Sequence, residues 1–137
     1  MNSRLRDFAT RYTAAWCSQD AAHVASFFAE NGSLKINDGE PSIGRVAITA
    51  AAQGFMTAFP DMVVTMDDVS GEQGSGVYRW TLTGTNTGPD GTGKAVRISG
   101  YEEWTFGADG LILKSLGHFD EAEYQRQLHS DSATSSG

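Results

Sequence analysis

The chain has 137 residues, 39% of them apolar and 20% charged, with 10 Lys and Arg against 17 Asp and Glu for a net charge of −7. This composition is globular, the length suits one domain with a real core, and a single cysteine excludes an intrachain disulfide. So acidic a chain repels phosphate backbones and anionic lipid, and no apolar run nears the ~20 residues of a membrane span, so neither nucleic acid nor a membrane is expected as partner.

The opening MNSRLRDFAT is too polar for a signal peptide, and a cytoplasmic home is expected. Residues 3–17 place Leu5, Phe8, Ala9, Tyr12, Ala15 and Trp16 on one helical stripe. Asp20 can cap a second helix carrying Val24, Phe27 and Phe28, with Asn31-Gly32 as its stop. Ser33 to Asn37 reads as a short strand and Asp38 to Gly44 as a loop. Residues 45–59 are helical again through Ile48, Ala51, Ala52, Phe55 and Phe59, and Pro60 closes them.

The period then changes to two. Met62 to Val69, Val77 to Thr85, Ala95 to Phe106 and Leu111 to Phe119 are expected strands. The glycine-rich segments at 70–76 and 87–93 join them, as does the Asp109-Gly110 hairpin signal. Asp120 to Leu128 is expected to close the domain as a short helix. Residues 129–137 are small and polar, and a disordered tail is expected after a single domain of 1–128. Helices set apart from an antiparallel meander mean an α+β fold. A curved antiparallel sheet wrapped around three helices makes a cone, and its open end is a pocket.

Several motifs carry no chemistry. Gly88 to Lys94 approaches a phosphate-binding loop, but Ala95 follows where Ser or Thr would hold magnesium, so a hairpin turn is expected. His23, His118, His129 and Cys17 lack metal-ligand spacing, and no metal or cofactor is expected. Cys17 reads as a small packed residue.

Four polar groups fall in telling places. Tyr12 lies on an apolar stripe, where its hydroxyl needs a partner. Glu102 alternates with Ile98, Gly100, Trp104 and Phe106, so it is expected to face inward, where burial raises a carboxyl pKa and suits it to donate a hydrogen bond or act as a general acid. The opposite face, with Tyr101 and Glu103, is the alternative. His118 and Asp120 end the last strand, where reactive groups reach both pocket and water. For Asp120 a helix N-cap is the plain alternative, and for His118 a packed or surface imidazole.

With these residues the chain resembles the nuclear transport factor 2-like superfamily, and within it the SnoaL-like polyketide cyclase and ester cyclase group. The likeness is carried by Phe59-Pro60-Asp61-Met62, Asp67-Asp68-Val69, the run from Arg79 to Gly88, Thr92-Gly93-Lys94, Asp109-Gly110-Leu111-Ile112 and Phe119-Asp120, within residues 5–128. The resemblance implies the same cone, a cystatin-like α+β barrel. It implies a general acid/base at Asp120 for ring closure, as in the cyclases, which usually carry His at the place of Asn86 and Trp at that of Leu116. Likeness to ketosteroid isomerases implies an oxyanion pair of Tyr12 and a protonated Glu102, the neutral-acid device well known from that enzyme. The isomerase base falls at Ile36, which cannot move a proton.

The expectation is a cofactor-independent cyclase, isomerase or lyase acting on a small apolar carbonyl compound. Asp120 would move the proton with help from His118, Tyr12 and Glu102 would hold the enolate oxygen, and Trp16, Phe55, Phe59, Trp80, Leu82 and Trp104 would line the pocket. A non-catalytic binder of an apolar metabolite and a protein-interaction module are the alternatives; an interaction module would have its cone filled by its own aromatics. A homodimer is expected through the outer sheet face, which presents Val77, Arg79, Thr81 and Thr83, then Arg97, Ser99, Tyr101, Glu103 and Thr105. The resemblance implies the same face.

Overall fold

A computed structural model describes residues 2–72 and 74–129. Helix α1 (Asn2–Cys17) buries Ala9, Tyr12 and Ala15, the centre of its predicted stripe. Asp20 caps α2 (Ala21–Ala25), its side chain accepting from the His23 N–H at 3.2 Å. Strands β1 (Phe28–Ile36) and β2 (Ser42–Ile43) follow, then α3 (Arg45–Ala58). Strands β3 (Val63–Ser70), β4 (Ser75–Thr85), β5 (Ala95–Phe106) and β6 (Ile112–Phe119) form the meander, and α4 (Glu121–His129) ends the described chain. The fold is α+β: one curved six-stranded sheet in the order β2-β1-β6-β5-β4-β3, with four helices. Every neighbouring pair is antiparallel except β1 and β6, which run parallel.

Three details depart from expectation. The second helix stops at Ala25, and Phe28, expected on it, begins β1. Asn31-Gly32, the expected helix stop, lies in that strand where its register against β6 shifts between Phe28 and Ser33. A Cβ on Gly32 would stand 2.8 Å from the Ile112 carbonyl oxygen, so glycine is needed there for close strand approach. The expected loop at 38–44 contributes β2 at its end. Helix α4 runs through His129; the rest of the expected tail, 130–137, lies outside the described residues.

β4 and β5 pair without interruption from Ser75↔Thr105 to Thr85↔Ala95. That register puts Tyr78, Leu82, Val96, Ile98, Glu102 and Trp104 on one buried face, while Arg79, Arg97, Ser99 and Glu103 are exposed on the other. Trp104 stacks on Tyr78 at 4.9 Å and meets Tyr12, Phe8 and Phe106 edge-on within 5.8 Å. Burying each such side chain contributes about 1.5–3 kcal/mol, so this cluster anchors α1 to the sheet. Among the described residues no helix is long and apolar enough to cross a membrane.

Candidate functional site

The inner sheet face and the helices leave a narrow apolar cavity. It holds about 70 Å³, where roughly 10–15 Å³ suffices for one water. The cone is thus not filled by its own aromatics. Trp16, Phe55, Trp80 and Leu82 line it, joined by Tyr124 of α4 and, from β5, Glu102.

Glu102 is 8% exposed. Its Oε1 accepts three hydrogen bonds: from Trp104 Nε1 at 2.8 Å, from Ser115 Oγ at 2.8 Å and from the Tyr12 hydroxyl at 3.0 Å. Among the described residues Oε2 meets only the same Tyr12 hydroxyl, at 3.2 Å. Strand geometry makes this cage. Tyr78 and Gly117 stand opposite Glu102 on its two neighbouring strands, and Ser115 stands opposite Trp104. The carboxyl therefore rises between small residues of β6 and the Tyr12 of α1. Burial pushes its pKa above the ordinary value of 4.5, against the three donors, which favour the anion. An indole N–H can only donate, so Oε1 is committed as acceptor and the proton of the neutral acid belongs on Oε2. Tyr12 is held well above its usual value by burial and by the neighbouring Glu102, and burial raises Tyr78, whose hydroxyl is paired with Thr13. The two tyrosines therefore stay neutral over the ordinary pH range, and burial biases Glu102 toward its neutral form. The site can offer a proton or a hydrogen bond to a guest and shields it from water.

The other predicted residues fall elsewhere. Phe59 is fully buried and Trp104 is 2% exposed; neither lines the cavity, because both are covered by the core, where Trp104 instead orients Glu102. His118 borders the cavity, but its ring is turned to the outer face. Nε2 lies 2.9 Å from Glu103 Oε1 and the ring stacks on Tyr101 at 4.7 Å, so it does not assist Asp120. Strand alternation decides this: Ser115 and Gly117 are buried inward, so His118 turns out. Asp120 is exposed, does not line the cavity, and takes the capping role: its Oδ1 accepts from the Glu123 N–H at 3.0 Å. Cys17, expected to be packed, is exposed, its Sγ 3.3 Å from Val64 N. Asn86 is structural, donating to the Ala58 carbonyl and accepting from the Thr92 N–H. Among the described residues no three His, Cys, Asp or Glu side chains cluster to hold a metal.

The sequence reading missed Ser115 and Tyr124. Ser115 was findable, since period two on β6 sets it inward with Gly117; Tyr124 needed the docking of α4, fixed by Gln127 bonding both the N–H and the carbonyl of Arg97 at 2.6 and 2.9 Å. Asp120→Ala is expected to cost about 1 kcal/mol through the lost cap, and Asp120→Asn far less, read by urea denaturation. Equal losses in both variants would mean that the side chain does more than cap.

Comparison with known proteins places this geometry. The family model of the SnoaL-like domain matches residues 9–115. No curated protein sequence matches. Among solved structures, TsrD from Streptomyces laurentii superposes with a TM-score of 0.80 at 19% identity, over 95% of this chain and 98% of that one. A protein of ketosteroid isomerase-like fold from Catenulispora acidiphila, in complex with trimethylamine, gives 0.78 at 14% identity, over 88% and 91%. SalBIII, an epoxide hydrolase/cyclase-like enzyme with a role in pyran ring formation in the polyether salinomycin, gives 0.76 at 17% identity, over 89% and 95%.

Proposed function

The chain belongs to the SnoaL-like domain family, and on that premise we propose that it closes a ring in a small, mostly apolar carbonyl compound held in the cone, with Glu102 as the proton donor. The observation that carries this reading is the buried carboxyl on the cavity wall whose Oε1 is taken by three donors and whose Oε2 meets, among the described residues, only the Tyr12 hydroxyl it shares with Oε1. Oε2 gives its proton to the carbonyl oxygen as the substrate's own enol or hydroxyl adds to the carbonyl carbon. The proton lost by that enol or hydroxyl returns to the Glu102 carboxylate. One bond forms, the carbonyl becomes a hydroxyl, and no net proton or electron is left over. Direct removal of a proton from carbon fits less well, because the wall at the isomerase base position is Ile36 and Asp120 stands outside. The role of SalBIII in pyran ring formation supports the choice.

Nonane-2,4,8-trione is a suitable probe: its enolised 1,3-dicarbonyl end can close a six-membered ring on the remote ketone. We expect the cyclic aldol to form faster with the protein than in buffer, followed by proton NMR. Equal rates, with the trione shown to occupy the cavity, would refute catalysis. A non-catalytic binder is the second reading, favoured by the placement of Asp120 and the His118 ring away from the cavity, and that same result would establish it.

We also propose a homodimer through the outer face of β4 and β5. Arg79 there lies over the Tyr101 ring at 5.4 Å, and Tyr101 stacks on His118, which sets Tyr and Arg, residue types favoured at interfaces, together on this face. Sedimentation at micromolar concentration should give twice 14.7 kDa; a species of 14.7 kDa alone would mean that the face is solvated.

A further inference from the structure

Trp80 lies on the inner face of β4 and lines the cavity, yet its Nε1 is a buried donor without a partner among the described residues. The other indole near the site, Trp104, has its N–H on Glu102. An unpaired buried N–H is costly, so such a donor is kept where something else comes to fill it. Its position says what. Trp80 pairs with Gly100 across the β4–β5 ladder, and the missing side chain of Gly100 leaves room for the indole to lean over β5: a Cβ there would stand 2.7 Å from Trp80 Cζ2. Cζ2 is one ring atom away from the carbon that carries Nε1. Gly100 is next in line to Glu102 on the same face of β5. Trp80 and Glu102 are thus neighbours along one wall of one cavity, and the rest of the lining is apolar apart from Tyr124 and His118, whose ring is turned to Glu103 and Tyr101.

We propose that the Trp80 indole N–H is the cavity's second donor to the guest, and that with Glu102 it selects compounds whose oxygens only accept hydrogen bonds, such as ketones and esters, over the same skeleton without oxygen. The inference rests on the reading of Glu102 as a neutral donor and adds a specificity-determining residue to it. A carbonyl oxygen has two lone pairs and can take both donors. A guest without an acceptor leaves the Trp80 N–H unpaired and gains only apolar burial.

The test uses 1-indanone and indane, two compounds of one shape that differ by the carbonyl. Proton–nitrogen spectra of the native protein resolve the indole N–H of each tryptophan. The Trp80 signal is expected to move downfield on titration with 1-indanone and to stay in place with indane. Trp80→Phe should weaken 1-indanone by about 2- to 10-fold, the worth of one hydrogen bond, and leave indane within about twofold. A Trp80 signal blind to 1-indanone bound in the cavity would overturn the proposal, and so would a Trp80→Phe variant that binds both probes as the native protein does. The spectrum of the native protein decides the matter even where the variant folds poorly. Failure of both probes to bind at millimolar concentration would overturn it as well. The reading of Glu102 as proton donor is judged separately by ring closure of the trione, so either can fall while the other stands.

Discussion

Replacing Glu102 by glutamine is expected to slow ring closure by about 10²–10⁴-fold, the usual worth of a positioned proton donor, while the fold survives. The amide oxygen of Gln can still accept from Trp104, Ser115 and Tyr12, so no buried donor is orphaned, and its NH2 can still point at a guest. What it cannot do is release a proton. Glu102→Leu separates the two roles from the other side. It leaves three donors unpaired in the core, at about 1–3 kcal/mol each, against a total stability of about 5–15 kcal/mol for a typical domain. That variant should be unfolded or nearly so. Near-native turnover in folded Glu102→Gln would end the proposal that this carboxyl moves the proton.

The same variant carries a pH signature. The native pKa of Glu102 is raised by burial above the 4.5 of an ordinary carboxyl. Below 4.5 the group is neutral both folded and unfolded, and its favourable contribution is fully present. As pH rises above 4.5 the unfolded chain loses the proton first, the native state binds more protons, and stability falls until the native carboxyl also ionises. Glutamine has no such term. Denaturation of native and Glu102→Gln proteins from pH 4 to 8 should therefore show the variant gaining relative stability as pH rises. A gap independent of pH would mean that Glu102 is ionised in the native state at an ordinary pKa.

The physical reason this carboxyl could be found without coordinates is the two-residue period. On β5, Ile98, Glu102 and Trp104 share a parity, and a single apolar face can bury only one parity. On α1 the stripe that holds Ala9 and Ala15 holds Tyr12 as well. Two independent periodicities thus point the hydroxyl and the carboxyl at one core. What periodicity cannot supply is register between strands. Ser115 reaches Glu102 only because β6 sets it opposite Trp104, and Trp80 overhangs the Glu102 row only because β4 sets it opposite Gly100. The misread parts are those where one local signal serves two structures. Asn31-Gly32 ends helices and also makes strand irregularities, and long-range pairing with β6 selected the second. Asp120 suits a strand-end base and a helix cap equally, and the direction of α4, set far away by Gln127 on Arg97, selected the cap.

Gly100 shows how much of the site hangs on one absent side chain. Gly100→Ala should both destabilise the protein, by about 1–3 kcal/mol as for an overpacked core, and abolish guest binding. The added methyl would meet the His118 carbonyl oxygen at far less than contact distance, Trp80 Cζ2 at 2.7 Å and Phe119 Cβ at 2.9 Å. Two of these three belong to β6, and its backbone cannot yield without loosening the Glu102↔Gly117 and Gly100↔Phe119 pairing beside the carboxyl. Turning the Trp80 ring would relieve only one of the three contacts, so β6 must shift as well, and a ring pushed off Gly100 would encroach on the cavity it lines. The methyl would thus fill the cone indirectly, by displacing its wall. Urea denaturation measures the first effect, and titration with 1-indanone the second. A Gly100→Ala protein that binds 1-indanone as tightly as the native chain would show that Trp80 does not need the open face of Gly100, and the geometry that brings the two donors to one wall would lose its support.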